Sequence, residues 1–388
     1  MLKGIKGALR DPLLKYYRQK GFSFSCGPLR GCRELQSWLQ TPANGSWRRR
    51  DPGVRQAGPR LLPPSSDGSF EVEEQDLVHA DTFVAELPEA LIHGPSVAVI
   101  TPDRYLLREL SMEFGHSPEN HGAMRRLWFP KPRRLEGTWA LLAVTGGNTY
   151  YHHLLEALPK VHLLQEAGLD PARLDGVIVS GVRFPFQKDS WKLLGFDPRK
   201  IISLEQGGIW QAERLLVTSP PSYAGSSPRW ATDFVRRLFL HDGNSPLAGE
   251  KLYLSRAGEK TRRFLEEESF WPGLEKRGFR RFTPEGSSLA EQARRFAGAS
   301  VLVGPHGGTF ANCVFCRPGT RVVEFFNPRY LNPCYQNLAS GLGLRPTFWI
   351  GKVLSGDKKP RTADSRGDVR LEPEILAKFL AELDATNV

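Results

Sequence analysis

Three segments of the chain carry side chains able to handle a charged substrate. The first is Ser300-Val-Leu-Val-Gly-Pro-His-Gly-Gly-Thr-Phe-Ala-Asn312, an apolar run that enters a glycine-rich turn and then a helix. Gly304, Gly307 and Gly308 let the main chain approach a ligand closely, and the N–H groups that open the helix attract an anion. Glu324 ends the next apolar run, where a carboxylate can accept hydrogen bonds from ribose hydroxyls. The glycine spacing is not that of the dinucleotide fingerprint. A tight turn with a structural His306 is the plainer alternative.

The second segment is Leu252-Tyr-Leu-Ser-Arg256, a strand ending in Ser255 and Arg256, followed by Arg262 and Arg263. Guanidinium groups grip phosphate in a bidentate manner and stay charged, so they can neutralise a leaving diphosphate without a metal. Arg256 at a strand end is well placed for this, Arg263 is a further candidate, and Arg262 is expected to face solvent. The third is Asn148-Thr-Tyr-Tyr-His-His-Leu-Leu-Glu-Ala-Leu-Pro-Lys160, which opens a helix after a strand. His152 and Glu156 stand four apart on one helix face. A carboxylate beside an imidazole fixes its tautomer and raises its basicity, which suits a general base. His153 points elsewhere, and Pro159 should bend the helix. A hydrogen-bonded packing histidine is the alternative for His152.

Two other patterns are set aside. Cys313 and Cys316 have metal-ligand spacing but no second pair at a suitable distance, so buried packing thiols are expected. No Asp-x-Asp pair is present to build a Mg2+ or Mn2+ site, so phosphate charge must meet Arg, His and helix N-termini.

The elements that must position these residues alternate between short apolar runs and amphipathic segments. Strands are predicted at Ser96–Ile100, Trp139–Val144, Gly176–Ser180, Lys200–Leu204 and Glu213–Ser219. A second series falls at Lys251–Arg256, Gly278–Pro284, Ser300–Gly304, Arg321–Phe326 and Thr347–Ile350. Helices are predicted near 151–168, 187–195, 228–241, 263–277, 288–298, 309–315, 330–340 and 371–384, with Ser288 and Glu291 as a capping box. This alternation argues for parallel sheets covered by helices. A polar break at Asp242–Glu250 divides the series into two α/β domains facing each other across a cleft, 71–245 and 246–388.

Residues 1–70 read as a basic extension and linker. Residues 1–60 hold 13 Lys/Arg against Asp11, Glu34 and Asp51, a net of +10, within a whole-chain charge of +11. Leu2, Ile5, Leu9 and Leu13 recur at helical spacing beside Lys3, Lys6 and Arg10, a pattern for an interfacial helix that Pro12 would end or kink. A solvated arm is the alternative. Residues 41–70, rich in Pro, Gly, Ser and Arg, read as a linker. The segment suits peripheral contact with an anionic membrane. Nucleic acid is not an expected partner, because the body lacks a basic aromatic platform. No stretch of the 388 residues reaches the roughly 18 apolar residues of a membrane span, and no signal-peptide core is evident. Five scattered cysteines make no disulfide framework, which fits a reducing, cytoplasmic setting.

In combination the segments resemble the family 61 glycosyltransferases. The matching pieces are Tyr150-Tyr-His-His-Leu-Leu-Glu-Ala-Leu-Pro159, Tyr253-Leu-Ser-Arg256 with Arg263, Gly278-Phe279 with Pro284-Glu285, Ser288-Leu-Ala-Glu-Gln292, Gly304-Pro-His-Gly-Gly308, Asn312 and Val323-Glu324. Their order matches over roughly residues 140–345, and residues 1–70 are not covered. His153 stands where the family often has Trp, Arg263 precedes Phe264 where Asn is common, and Gly308-Thr309 replaces the commoner Gly-Ala.

The resemblance implies a GT-B architecture of two Rossmann-like domains, with the acceptor in the first and the donor in the second. It implies inverting, metal-independent transfer from a nucleotide sugar, expected to be a UDP-sugar, without a cofactor. The absence of a signal or anchor is similar to bacterial members that build capsular or other surface polysaccharide on glycan or lipid-linked acceptors. His152, oriented by Glu156, is then the base. Ser255, Arg256, Arg263, Gly304, His306, Gly307, Gly308, Asn312 and Glu324 serve the nucleotide sugar. Asn148 and Tyr151 lie on the acceptor side. Two rivals are a nicotinamide-dependent oxidoreductase and a non-catalytic polyanion- or membrane-binding protein on a degenerate transferase fold.

Overall fold

The computed structural model describes residues 7–20, 27–49, 53, 55–61, 72–94, 96–222, 225–240, 249–352 and 367–385. The chain forms two compact units. Met1–Gly53 and Ala80–Pro221 make the first, and Val54–His79 and Ser222–Val388 make the second.

The first unit opens with β1 (Gly31–Arg33) and β2 (Ser46–Arg49). The next two strands, β3 (Arg55–Leu61) and β4 (Val72–Val78), form an antiparallel hairpin that groups with the second unit. The first unit then continues with β5 (Phe83–Pro88), β6 (Leu91–Gly94), β7 (Ala98–Ile100), β8 (Tyr105–Leu107), β9 (Arg133–Leu141), β10 (Gly176–Val179), β11 (Ile201–Ser203) and β12 (Gly208–Thr218). One sheet joins them in the order β1-β8-β7-β6-β12-β9-β10-β11, with β5 also on β12 and β2 on β5. Val177, Ile178 and Val179 of β10 are buried without alternation, as a strand covered on both faces requires.

The expected parallel arrangement holds for β9 to β12. It fails for β5, β6 and β7, which run antiparallel to their neighbours. The reason is loop length. Only three residues join β6 to β7, and a connection that short can make only an antiparallel hairpin. β5 and β6 act as two halves of one strand along β12, broken at Glu89, whose φ is +55°.

The stretch expected as an extension also differs. Strands β1 and β2 belong to the sheet, and Leu29, Leu35 and Trp38 are buried in the core. Runs of three and four residues are too short to show a period, and their pairing partners are remote in sequence. The helix Gly7–Lys20 continues through Pro12. Leu14 is buried beneath it, and Arg18 donates to the carbonyls of Leu29 (3.3 Å) and Met124 (2.6 Å). Leu2, Lys3, Ile5 and Lys6 of the expected interfacial helix, residues 62–70 of the expected linker and all but the last two residues of the break at Asp242–Glu250 lie outside the described residues.

The second unit has a five-stranded sheet formed by β13 (Glu250–Leu254), β14 (Phe279–Phe282), β15 (Ala299–Pro305), β16 (Arg321–Phe326) and β17 (Arg345–Ile350). All neighbours are parallel, in the order β14-β13-β15-β16-β17. From β13 the chain winds to one side through β14, then crosses back to β15 and winds to the other. The carboxyl ends of β13 and β15 therefore flank the topological switch point, where ligands of doubly wound sheets sit. Ser288 and Glu291 form the expected capping box of the helix Leu289–Ala297. Among the described residues no helix is long and apolar enough to cross a membrane.

Candidate active site

In the second unit, Arg256 follows β13 at the switch point. The residue is 8% exposed. Nη2 donates to the Thr261 carbonyl at 3.1 Å, while Nε is buried with no acceptor among the described residues. Gly307 is required here by space, because a Cβ on it would stand 2.4 Å from Arg256 Nη1 and 3.0 Å from its Cδ. Gly304 is required one step earlier, where a Cβ would meet the Leu254 carbonyl oxygen at 2.6 Å. The two glycines let β13 and β15 close together so that the guanidinium lies along the turn. Gly308 opens the expected helix, which is of the 3-10 type and spans Gly308–Phe315. The first N–H groups of a helix lack internal partners.

Arg262 reverses the expectation that it faces solvent. It is half-buried, its backbone adopts φ +58°, and its Nε is also buried without an acceptor among the described residues. Burial, and then the positive charge of Arg262, makes Arg256 hold its proton less tightly than an ordinary arginine. Two neighbouring guanidiniums with unused buried donors are costly in isolation, each unmade bond at about 1–3 kcal/mol. Arg263 is the one that turns outward. It is exposed and bonded to Asp368 through Nε at 3.2 Å and Nη2 at 2.7 Å, so it is not brought to the site. The sequence signal for Arg262 was only its adjacency to Arg263, since helical or strand periodicity cannot choose between two residues of a loop.

His306 and Glu324 form a buried pair. Nδ1 of His306 lies 2.5 Å from Glu324 Oε1, and Gln336 Nε2 donates to Glu324 Oε2 at 2.9 Å. Glu324 is fully buried with both oxygens engaged. It holds His306 and is not presented to a ribose, which corrects the role expected for it. The imidazole is packed by Phe326, Tyr330 and Tyr335 at centroid distances of 5.2, 5.3 and 5.1 Å. With Nδ1 committed, Nε2 is the ring's remaining polar atom.

Two further expected ligands serve the scaffold. Ser255 donates to Glu267 Oε1 at 2.5 Å and accepts from the Ala257 N–H at 3.3 Å. Asn312 is fully buried and donates to Gln292 Oε1 at 3.0 Å, tying the 3-10 helix to Leu289–Ala297. Cys313 and Cys316 are buried thiols. Burial raises the pKa of both, that of Cys316 to about 12.

In the first unit, the turn after β9 presents the other expected residues. His152 Nδ1 stands 2.9 Å from Glu156 Oε2, a close contact that does not meet hydrogen-bond geometry. The imidazole remains partly open, 22% exposed. Gly146, at φ +75°, makes room for it, since a Cβ there would lie 2.7 Å from His152 Cδ2. Asn148 Oδ1 accepts from Gln187 Nε2 at 3.3 Å, and Tyr151 is buried with its ring edge-on to His152.

Proline shapes the helix in an unexpected way. Residues His153–Ala157 form a π turn, closed by the Leu158 N–H on the His153 carbonyl at 3.1 Å, and Pro159 opens the following helix. Pro159 offers no N–H, so the wide turn ends where the donor is missing. The turn sends His153 inward, where Nε2 lies 2.7 Å from Ser190 Oγ. Burial pushes the His153 pKa down to about 3. Lys160, not anticipated as a contributor, is buried one turn beyond Glu156. Its ammonium donates to the carbonyls of Leu141 (3.2 Å) and Ala143 (3.1 Å), fixing the end of β9. Burial lowers its pKa to about 8 against the opposing pull of Glu156.

A parallel-sheet unit with paired arginines at its switch point, and a His–Glu pair after a strand of the other unit, define an α/β protein with helices beside a large parallel-rich sheet. Residues 150–323 match the family model of glycosyltransferase 61. This segment is a glycosyltransferase 61 domain, and the chain is a glycosyltransferase. The match begins at Tyr150 and contains His152, Glu156, Arg256, Arg262 and His306. No curated protein matches the chain.

Proposed function

We propose that the protein is an inverting, metal-independent transferase that moves a sugar from a UDP-sugar to a hydroxyl of a growing surface polysaccharide or other glycan. The observation that carries the donor assignment is the pair of buried Nε donors on Arg256, beside Gly307, and on its neighbour Arg262, neither with an acceptor among the described residues. A diphosphate supplies the oxygens they lack, and its two negative charges answer the repulsion between the guanidiniums. Because the fixed cations lie where leaving-group charge develops, they stabilise the transition state without a divalent ion.

His152 is the proposed base. In a single displacement its Nε2 takes the acceptor hydroxyl's proton while the oxygen forms its bond to the anomeric carbon. The bond from that carbon to the diphosphate oxygen breaks, and UDP leaves with the electron pair. Glu156 beside Nδ1 stabilises the imidazolium that results. The acceptor role is assigned to the first unit, and the position of Asn148 and Tyr151 beside His152 supports that reading. Contact of the basic N-terminal residues with an anionic membrane, and a cytoplasmic site of action, fit an acceptor carried on lipid.

Loss of a general base lowers turnover by about 10²–10⁴. His152→Ala should therefore retain UDP binding in calorimetry and lose turnover in that range. Turnover near that of the wild type would remove His152 from the role.

A further inference from the structure

Phe114 occupies an unusual place beside the His152 base. It is 53% exposed, yet its ring centroid lies 5.0 Å from that of His152, with the planes 36° apart. Gly146 sits beneath both rings, and a Cβ there would stand 3.0 Å from Phe114 Cε2 as well as 2.7 Å from His152 Cδ2. The imidazole and the phenyl group thus form adjoining parts of one open surface at the carboxyl end of β9.

The segment that carries Phe114 is anchored. Glu113 and His116 pair as an antiparallel bridge, with the His116 N–H on the Glu113 carbonyl at 3.2 Å and Gly115 turning the chain at φ +74°. The Glu113 carboxylate accepts the Gly122 N–H at 2.5 Å, and the Thr145 hydroxyl donates to the Met112 carbonyl. A turn fixed at both shoulders therefore holds a large apolar ring out toward solvent, next to the group that touches the acceptor hydroxyl.

Sugar chemistry matches such a surface. A pyranose has polar edges but an apolar face of C–H groups, and those slightly positive hydrogens attract the negative face of an aromatic ring. A serine side chain has no comparable flat face, and an alkyl chain calls for a groove. Building on the transferase reading above, we propose that Phe114 is the platform on which the acceptor's terminal pyranose stacks, so that the acceptor is a sugar hydroxyl and Phe114 sets its orientation toward His152.

The test needs no donor. Saturation-transfer NMR with methyl β-D-glucopyranoside, methyl β-D-galactopyranoside and the corresponding β-linked disaccharides would be run on the full chain, Phe114→Ala and Phe114→Trp. The expected result is transfer to the protons of one ring face for at least one glycoside. It should fall about tenfold in Phe114→Ala and persist in Phe114→Trp, as loss and rescue of one aromatic contact imply. Equal signals in wild type and Phe114→Ala would overturn the proposal. So would the absence of signal from every glycoside, or a Phe114-dependent signal only from a serine peptide or octanol. Phe114 is largely solvent-facing, so its variants should unfold at the wild-type temperature. UDP calorimetry on the same samples separates the two readings. UDP binding with no Phe114-dependent glycoside signal sinks this inference alone, and loss of UDP binding in the wild type sinks the donor assignment instead.

Discussion

Arg262 and Arg263 are chemically identical neighbours with opposite surroundings. One is half-buried beside Arg256, and the other is exposed and paired with Asp368. Charged hydrogen bonds contribute about 1.5–3 kcal/mol each. Arg262→Ala should then weaken UDP binding roughly ten- to a hundredfold, while Arg263→Ala changes affinity little, both read by calorimetry. Equal losses would mean that the diphosphate is not gripped by the inner guanidinium. Arg256 was legible in the sequence because it ends a clear apolar strand. Arg262 was not, because backbone curvature at φ +58° decides which of two adjacent loop arginines turns inward. Glu324 was found as a site residue for the wrong reason. Its position at a strand end was readable, but nothing in the sequence reports that His306 and Gln336 occupy both oxygens.

At the scale of elements, the glycine turn and the π turn each place one reactive group. Gly307→Ala keeps every charge in the second unit yet puts a methyl group 2.4 Å from Arg256 Nη1. The guanidinium must move, so UDP affinity should fall while the unfolding temperature stays near that of the wild type. Unchanged affinity would show that Arg256 needs no contact with the turn. The π turn makes a prediction about acid. With the folded His153 pKa near 3 and an unfolded value near 6.5, the unfolded chain binds a proton that the folded chain refuses. Stability contributed by the neutral form is therefore present above pH 6.5 and lost as pH falls below it. Between pH 7 and pH 5 the loss is about 2 kcal/mol. His153→Gln should narrow the gap between urea unfolding curves at those two pH values, and an unchanged gap would assign the acid sensitivity elsewhere. Strand and helix order from Trp139 onward was readable because short apolar runs alternate with longer amphipathic ones. The π turn was not, since it arises from a missing N–H at Pro159 combined with the tertiary pull of Ser190 on His153.

For the whole molecule, the largest revision concerns the N-terminal residues. Charge marked them as an arm, but Leu29, Leu35 and Trp38 are buried and β1 and β2 are sheet strands. Deleting residues 1–60 removes this packing, where each large buried side chain is worth about 2–5 kcal/mol. The truncated chain should therefore unfold well below the wild-type temperature or fail to fold, which differential scanning calorimetry would show. A truncation with an unchanged transition would restore the reading of a detachable arm. The doubly wound second sheet was more accessible, because its inner strands are mostly buried apolar runs and its strands are spaced by helices. Its switch point is what gives two arginines and a glycine turn a common purpose. The most direct measurement is calorimetric titration of UDP, in the presence of EDTA, into the wild type and the Arg256→Ala/Arg262→Ala double variant. The predicted result is binding by the wild type without divalent metal and loss of at least about a hundredfold in the double variant. Wild-type binding that vanishes with EDTA, or equal affinity in the two proteins, would contradict a diphosphate held by these guanidiniums.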